Sequence, residues 1–366
     1  MKRTLKIGLW YVALLAGTSY GAVQLTGPGA LLRHAASVKP YAPIFDPAPL
    51  REPASATGNI VIFFGDSSVA QPPWAEPDAP GIPALLQTEL AGCRVVDWSY
   101  SAAALFDYYC LLFEARKHSP ALVVIPINWR NLGPLSWERG TRPAFPELSA
   151  AVPLDGPSSR PLHSWGIHRS HQLASRAGRP LVYLTGLRAF ARNKSGRAPH
   201  DSARFDSAPP PGELITYLSD ARLFGTYSHV DPTDEQVEAL RLLARVSRHH
   251  GGPRLLLYIT PIHIEEMRTR NAHKTEAVLH SIAALTEALA AEGVKCVNLA
   301  AILSERDFID TAEHYTAAGN RAIAEALAPE VRRLLRSSDA PFPLTNLGER
   351  ELWAERHHSQ GTKAGL

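Results

Sequence analysis

The sequence has little cysteine: Cys93, Cys110 and Cys296 are the three cysteines in 366 residues. An odd number of widely spaced cysteines does not form a disulfide framework, and no Cys/His spacing typical of a zinc site occurs. Cys93 and Cys296 fall in strand-like segments and Cys110 on an apolar helical segment, so all three are interpreted as buried thiols. The sequence predicts no metal and no cofactor.

Net charge is also low, at +3, with 38 Lys and Arg residues against 35 Asp and Glu residues. A balance this close to neutral does not indicate a nucleic-acid-binding protein. No internal repeat is visible. The length allows one large domain or two small ones, with an ample core.

The first 27 residues differ from the rest. Three basic residues within the first six positions precede an apolar stretch over residues 7–25, which is about long enough to span a bilayer. A cleavage site of the Ala-x-Ala kind is not evident, since Tyr20-Gly21-Ala22 fits it poorly. An uncleaved anchor over 1–27 is therefore favoured over a cleaved secretory signal or a buried helix. The proline-rich composition of residues 28–57 predicts a spacer. The domain after the spacer is expected outside the cytoplasm.

After the spacer, apolar runs typical of buried strands alternate with helical patterns. Strands are predicted over 59–64, 93–98, 121–128, 254–260 and 294–300, and helices over 82–91, 102–117, 234–250, 272–292 and 316–336. This alternation predicts an α/β fold with a doubly wound, five-stranded parallel sheet over residues 58–337. An insertion over 138–230 interrupts it, and a polar tail covers 338–366.

Four polar segments fall at predicted strand ends or before the last helix. They are Gly65-Asp66-Ser67-Ser68, residues 98–104 (WSYSAAA), residues 126–131 (PINWRN) and residues 308–320 (FIDTAEHYTAAGN). In open α/β sheets, ligands bind beyond the carboxyl ends of the strands. A rigid, buried strand at 60–64 is suited to hold Ser67 there. Gly65 is expected to allow a sharp turn and the close approach of a substrate.

This ordered set resembles the SGNH (GDSL-type) hydrolases over about 59–130 and 254–336, with the insertion outside the resemblance. The resemblance implies a flavodoxin-like sheet and a serine esterase or acyltransferase. By position, Ser67 matches the nucleophile, His314 the general base and Asp310 the group that orients the base. The oxyanion would be bound by the backbone N–H groups of Ser67 and Ala102 and by the side chain of Asn128.

The sequence departs from the family at three positions. Ala102 and Pro126 stand where the family has glycine, and Asp310 lies four residues before His314 rather than three. The last departure leaves a Ser–His dyad as an alternative to a triad.

Each site residue also has a structural alternative. Ser67 can be a turn serine, His314 a helix cap and Asn128 a turn cap. His263, which follows the fourth predicted strand, is interpreted as lining the same rim rather than as catalytic.

Membrane-tethered proteins of this family that resemble the chain include the D-alanyl-lipoteichoic acid transfer and alginate O-acetylation proteins. This resemblance implies an acylated glycan or envelope polymer as substrate, and a membrane-bound acyltransferase as a further partner. From 140 to 200 the insertion has nine Lys or Arg residues and two acids. Such a segment can bind an anionic acceptor, lie against anionic lipid or be merely solvated. The alternative function is a catalytically inactive binding or scaffold subunit of a polymer-acylation complex.

Overall fold

The computed structural model describes residues 59–69, 79–99, 103–132, 146–154, 157–170, 172–173, 223–224, 227–231, 234–248, 252–310 and 314–336. The predicted anchor, the spacer, Ala102, most of the basic insertion and the tail lie outside these ranges. Within them, no helix combines the length and apolar character needed to cross a membrane. The described residues up to Leu335 belong to one compact unit.

The described strands form one parallel sheet, which confirms the predicted fold class. Its strands are β1 (Asn59–Gly65), β2 (Cys93–Ser99), β3 (Leu122–Ile127), β4 (Arg254–Ile259) and β5 (Cys296–Asn298). They lie in the order β2-β1-β3-β4-β5, and every neighbouring pair is parallel. This is the flavodoxin-like order, in which β2 lies on one side of β1 and β3, β4 and β5 follow on the other side.

The described α-helices cover both faces of the sheet. They are α1 (Ile82–Glu89), α2 (Leu105–Arg116), α3 (Arg160–Ser164), α4 (Glu235–Arg248), α5 (Ile264–Ala291) and α6 (Ala317–Arg336). Short 3-10 helices cover Trp129–Leu132, Pro146–Ala151, Pro157–Ser159 and Glu305–Asp307. Helices α2, α4 and α5 pack on one face, and α1 and α6 on the other. The apolar run in β1 follows from this arrangement, because Ile62 and Phe64 fill one layer while Val61 and Phe63 fill the other.

Helix α5 begins eight residues earlier than predicted. The predicted start at 272 coincides with a kink at Asn271, whose φ and ψ of −160° and 93° are not helical. The Asn271 Oδ1 accepts the Lys274 N–H at 3.0 Å and so caps the second segment. The first segment has its own cap at His263. The sequence pattern therefore located the longer segment and missed the shorter one before the kink.

The strand order brings the predicted site residues to one edge. Ser67 follows β1 and Asn128 follows β3, and these two strands are neighbours. In doubly wound sheets the crevice that binds ligands lies at the carboxyl ends of the strands where the order reverses. The fold therefore sets both residues beside that crevice.

Candidate active site

The turn that carries Ser67 is held by the residue before it. Val69 N–H donates to the backbone oxygen of Asp66 at 3.2 Å, which closes a tight turn. The Asp66 Oδ1 accepts the Ser68 N–H at 2.8 Å and the Ser68 hydroxyl at 2.6 Å. Asp66 and Ser68 are buried, while Ser67 is half-buried at the turn. The carboxylate thus fixes the turn without engaging the Ser67 side chain.

Gly65 is required for packing rather than for a sharp turn, which corrects the expectation from the sequence. It lies in β1 and does not adopt a left-handed φ. A Cβ at this position would lie 2.6 Å from both the Ser99 Oγ and the Val69 Cβ. Contacts this short do not occur in folded proteins, so only glycine lets β2 and the turn after β1 approach so closely.

Asn128 has its amide fixed at both ends. Its Nδ2 donates to the Asp66 Oδ2 at 3.3 Å, and its Oδ1 accepts the Arg130 N–H at 3.2 Å. Asn131 N–H also bonds to the Asn128 backbone oxygen at 2.9 Å, which starts the 3-10 helix that follows. Asn128 therefore does cap a turn, as the structural alternative expected. The same amide also reaches Asp66 in the turn that carries Ser67, 62 residues away.

Pro126 is accommodated within β3. The ladder between β1 and β3 pairs residues Leu122 to Val124 and ends there, so Pro126 lies past it. On its other side β3 pairs with β4 along its whole length, with Pro126 opposite Tyr258. A proline without an N–H is tolerated in a strand where one side is no longer paired. This departure from the family pattern therefore leaves the position of Asn128 intact.

Asp310 and His314 contact each other directly. The Asp310 Oδ1 accepts the His314 backbone N–H at 3.2 Å, and its Oδ2 bonds to the His314 Nδ1. The Asp310 side chain is fully buried, and the His314 side chain is 19% exposed. A carboxylate on Nδ1 holds the proton there, so the lone pair of the neutral ring is on Nε2.

The four-residue spacing is explained by a hairpin-like loop. Phe308 and Tyr315 form an antiparallel bridge, Ile309 N–H donates to the His314 backbone oxygen at 2.8 Å, and Thr316 N–H donates to Asp307 at 2.9 Å. Asp310 and His314 lie inside this closed loop. The Asp310–His314 contact is therefore present despite the departure from the family spacing.

His314 is not the cap of the last helix, so that alternative is wrong. Helix α6 begins at Ala317, and Gly319 N–H donates to the Thr316 Oγ1 at 3.2 Å. Thr316 is therefore the N-terminal cap. The His314 ring is directed to Asp310 instead.

The loop is fastened to the same sheet edge as Ser67. The Tyr315 hydroxyl donates to the Pro261 backbone oxygen at 3.0 Å, just beyond β4. The Phe308 ring lies 4.6 Å from the His263 ring, centroid to centroid. These contacts tie the Asp310–His314 pair to the carboxyl end of β4, two strands from the nucleophile turn.

His263 is at that edge but is buried under Phe308, with 2% of its surface exposed. Its Nδ1 accepts the Glu266 N–H at 3.2 Å and so caps α5. Burial lowers the pKa of His263 below its usual value, against the opposing effect of Glu266. The ring is therefore neutral and structural, and it does not line the rim as expected from the sequence.

Sequence reasoning missed the buried polar groups that interact with Asp66. The hydroxyls of Tyr108 and Tyr258 are buried, and their pKa values are raised well above the usual value by burial first and by the charge of Asp66 second. Asp107 is also fully buried, and its Oδ2 accepts the Ala104 N–H at 2.9 Å at the start of α2. The Gly-Asp-Ser segment could have pointed to Asp66 as a site residue. Tyr108 and Tyr258 could not be identified in this way, because they lie in apolar runs typical of core residues.

The roles predicted for Ser67, Asn128, Asp310 and His314 stay predictions, as do the oxyanion role of Ala102 and the expectation of no metal. Ala102 lies outside the described residues, so its role as an oxyanion donor is not tested. In the part of the chain that is described, no group of three or more His, Cys, Asp or Glu side chains is arranged to hold a metal ion.

Comparisons with known proteins found likenesses in structure alone. No family model matches the chain. No curated protein matches it either. Est24, a carbohydrate acetylesterase from Sinorhizobium meliloti, is 11% identical, with a TM-score of 0.39 over 75% of this chain and 99% of that one. Another carbohydrate acetylesterase family member from that organism is 13% identical, with a TM-score of 0.38 over 76% and 99%. The inhibitor-bound aryl esterase of M. smegmatis is 14% identical, with a TM-score of 0.38 over 76% and 100%. At these identities and TM-scores the likenesses assign no activity.

Proposed function

We propose that the protein is a serine ester hydrolase or acyltransferase of the SGNH type, with Ser67 as nucleophile, His314 as general base and Asp310 as the group that orients the base. The observation that supports this most is the buried Asp310 carboxylate bound to both the ring and the backbone of His314. A surface histidine needs no such partner, whereas a base that must present Nε2 does.

The reaction follows from these groups. The Ser67 Oγ attacks the ester carbonyl carbon while the His314 Nε2 takes the hydroxyl proton. The carbonyl oxygen becomes an oxyanion, which the Ser67 N–H and the Asn128 Nδ2 are suited to bind, together with the Ala102 N–H. The C–O bond to the alcohol breaks and His314 returns the proton to the leaving oxygen. Water or a second hydroxyl then attacks the acyl carbon while the same base takes its proton. The bond between the acyl carbon and the Ser67 Oγ breaks, and His314 returns the proton to the Ser67 Oγ.

The acceptor and location are part of the proposal. The basic, apolar N-terminus supports a membrane anchor with the catalytic domain outside the cytoplasm. An anchored enzyme that meets envelope polymers can pass its acyl group to a glycan hydroxyl, with a membrane-bound acyltransferase supplying the acyl group. The arginines of the insertion are suited to grip an anionic polymer. A reporter active only in the cytoplasm, fused after Arg336, should be silent.

Labelling by a serine-directed fluorophosphonate tests the catalytic part. Full-length protein in detergent should label at Ser67, as mapped by mass spectrometry. Ser67→Ala should abolish labelling, and His314→Ala should nearly abolish it, with both variants still folded. The matched control is Ser68→Ala, the neighbouring buried serine, which should keep labelling. Transfer of label to Ser68, or no labelling of the wild type, would contradict the proposal.

A non-catalytic scaffold subunit is the second candidate. It is supported by alanine at position 102, where the family has glycine in the oxyanion loop. It loses support at the other two departures, because Asp310 bonds to His314 despite the four-residue spacing and Pro126 lies beyond the β1–β3 ladder. A wild type that never labels would favour this candidate.

A further inference from the structure

Asp66 connects the two turns that the proposed reaction uses. One oxygen of its buried carboxylate holds the Ser68 N–H and hydroxyl, and the other accepts the Asn128 Nδ2 at 3.3 Å. We infer that Asp66 is a positioning residue, which aims the Asn128 amide at the oxyanion while it holds the turn of Ser67. This inference rests on the proposed function of Ser67 and Asn128.

The hydrogen bonds of Asn128 settle which way its amide faces. Its Oδ1 accepts the Arg130 N–H, and its Nδ2 donates to Asp66. A flipped amide would set a donor against the Arg130 N–H and an oxygen against the Asp66 carboxylate, so the observed orientation is the favoured one. The Nδ2 has two hydrogens. With one given to Asp66, the proposed reaction uses the other to bind the oxyanion.

Burial makes the Asp66–Asn128 bond a strong restraint. Asp66 is 1% exposed and Asn128 is 2% exposed, so water does not compete for either group. A buried carboxylate that loses a donor is costly, because the charge is left incompletely solvated. The same carboxylate holds the turn after β1 and the amide after β3, so neither can shift without the other. The spacing between the nucleophile and its oxyanion donor is thereby set by one side chain.

The charge of Asp66 argues that its contribution is geometric. A carboxylate near the site of an oxyanion repels the developing charge, so its electrostatic effect on the reaction is unfavourable. Replacing it by a neutral amide should therefore raise turnover if charge alone matters. It should lower turnover if Asp66 positions Asn128. In Asp66→Asn the side-chain oxygen would stay on the Ser68 N–H, so the new NH₂ group would face the Asn128 NH₂ group, and two donors cannot form a hydrogen bond. The two roles predict changes of opposite sign.

The test is a double-mutant cycle on full-length protein in detergent, using Asp66→Asn, Asn128→Ala and the combination. Ester turnover, the rate of fluorophosphonate labelling and the thermal midpoint are measured for each. We expect Asp66→Asn to reduce kcat by about 10–100-fold with little change in KM, since small misplacements at a reacting centre cost about this much. The double variant should be no slower than Asn128→Ala alone, because Asp66 acts through the amide that is already missing.

The matched control is Asp97→Asn. Asp97 lies near the end of β2, and its Oδ1 accepts the N–H of Ser99, two residues further along the chain, at 2.8 Å. Asp66 makes the same contact with Ser68, also two residues further along. Asp97→Asn removes an exposed carboxylate that makes the same local contact within strand β2, on a different segment from Asn128. This variant should keep wild-type kcat.

Three outcomes overturn the inference: unchanged or raised kcat in folded Asp66→Asn, kcat losses that multiply in the double variant, or an equal loss in Asp97→Asn. The thermal midpoints separate this failure from that of the proposed function. If no protein labels or turns over ester, the proposed function fails. In that case the thermal midpoints still test the contact between Asp66 and Asn128. Non-additive decreases of the midpoint in Asp66→Asn and Asn128→Ala would support the contact, and additive decreases would contradict it.

Discussion

Asp310 accepts hydrogen bonds from both the backbone N–H and the ring of His314, four residues further along the chain. Because the loop around them closes by a bridge between Phe308 and Tyr315, the pair is preorganised by the fold itself. A carboxylate bound twice to the same histidine limits both the position and the rotation of its ring. Asp310 is therefore expected to contribute to catalysis through His314, as in a triad rather than a dyad.

The variant Asp310→Asn tests that expectation. An asparagine side chain keeps the shape of the aspartate but can no longer hold the proton on Nδ1 by charge, so His314 is free to adopt the wrong tautomer. We expect ester turnover to fall by about 10³–10⁴-fold with the fold retained. The matched control is Asp307→Asn in the same segment, whose carboxylate accepts the Ser304 N–H at 2.9 Å and lies outside the proposed site. A loss below about tenfold in Asp310→Asn would instead support a Ser–His dyad.

The pH dependence of acylation tests His314. Nε2 can accept the Ser67 proton only when the imidazole is neutral, so labelling should fall as the solution is made acidic. The rate of fluorophosphonate labelling is measured against pH in buffers of equal ionic strength. Asp310→Asn should shift the midpoint to lower pH, since it removes the negative charge that favours the protonated ring. A rate independent of pH between about 5 and 8 would contradict the role of His314 as base.

The Asn128 side chain should affect both turnover and stability, because it caps a turn and, in the proposed reaction, also binds the oxyanion. Asn128→Ala removes a donor to the oxyanion, and we expect kcat to fall by about 10²–10³-fold. It also leaves the Arg130 N–H and the Asp66 carboxylate short of a partner, at a cost of about 1–3 kcal/mol in unfolding free energy. Turnover must therefore be measured per folded molecule.

Gln87→Ala separates these two effects. The Gln87 amide also bonds twice to backbone, donating to the Cys93 oxygen at 2.9 Å and accepting the Val95 N–H at 2.7 Å. It lies away from the sheet edge that carries the site, so its loss should lower the thermal midpoint and leave kcat unchanged. If Asn128→Ala behaves like Gln87→Ala in both measurements, Asn128 is a turn cap alone.

The sequence predicted the sheet well because its signals are local. Each strand is a short apolar run ended by turn residues, and the β1 run that leads into Gly65-Asp66-Ser67 is buried on both faces as such runs imply. The start of α5 was missed because Asn271 looks like an ordinary helix start and conceals the segment before it.

The partners of the site residues were less predictable. The Asp66–Asn128 bond spans 62 residues, and nothing in a single sequence pairs them. The spacing of Asp310 and His314 left open whether the two residues are in contact, because spacing does not reveal the bridge between Phe308 and Tyr315 that flanks them. The role of Gly65 was misassigned for the same reason: its constraint comes from Ser99 on a neighbouring strand.

Gly65→Ala should disturb the nucleophile turn. The added Cβ would lie 2.6 Å from the Ser99 Oγ and the Val69 Cβ, so β2 or the turn must move. Overpacking of this kind costs about 1–3 kcal/mol. We expect a lower thermal midpoint and reduced labelling of Ser67. The control is Gly81→Ala, where the nearest atom to a new Cβ would be 3.4 Å away. Equal behaviour of the two variants would show that the site tolerates this displacement.

His263 should make stability depend on pH in a defined direction. Burial lowers its pKa in the folded protein, so below about 6.5 the unfolded chain binds a proton that the folded protein does not. Its contribution to stability is therefore fully present above about 6.5 and is lost as the pH falls from there toward the lower pKa of the folded state. Glu266 acts against this shift without reversing it.

His263→Asn should lose less stability than the wild type between about pH 6.5 and 5, because asparagine can still cap Glu266 N–H but does not titrate. Thermal midpoints measured over this range, with exposed His280→Asn on the same helix as control, test the difference. Parallel curves for the wild type and His263→Asn would show that the buried ring does not resist protonation.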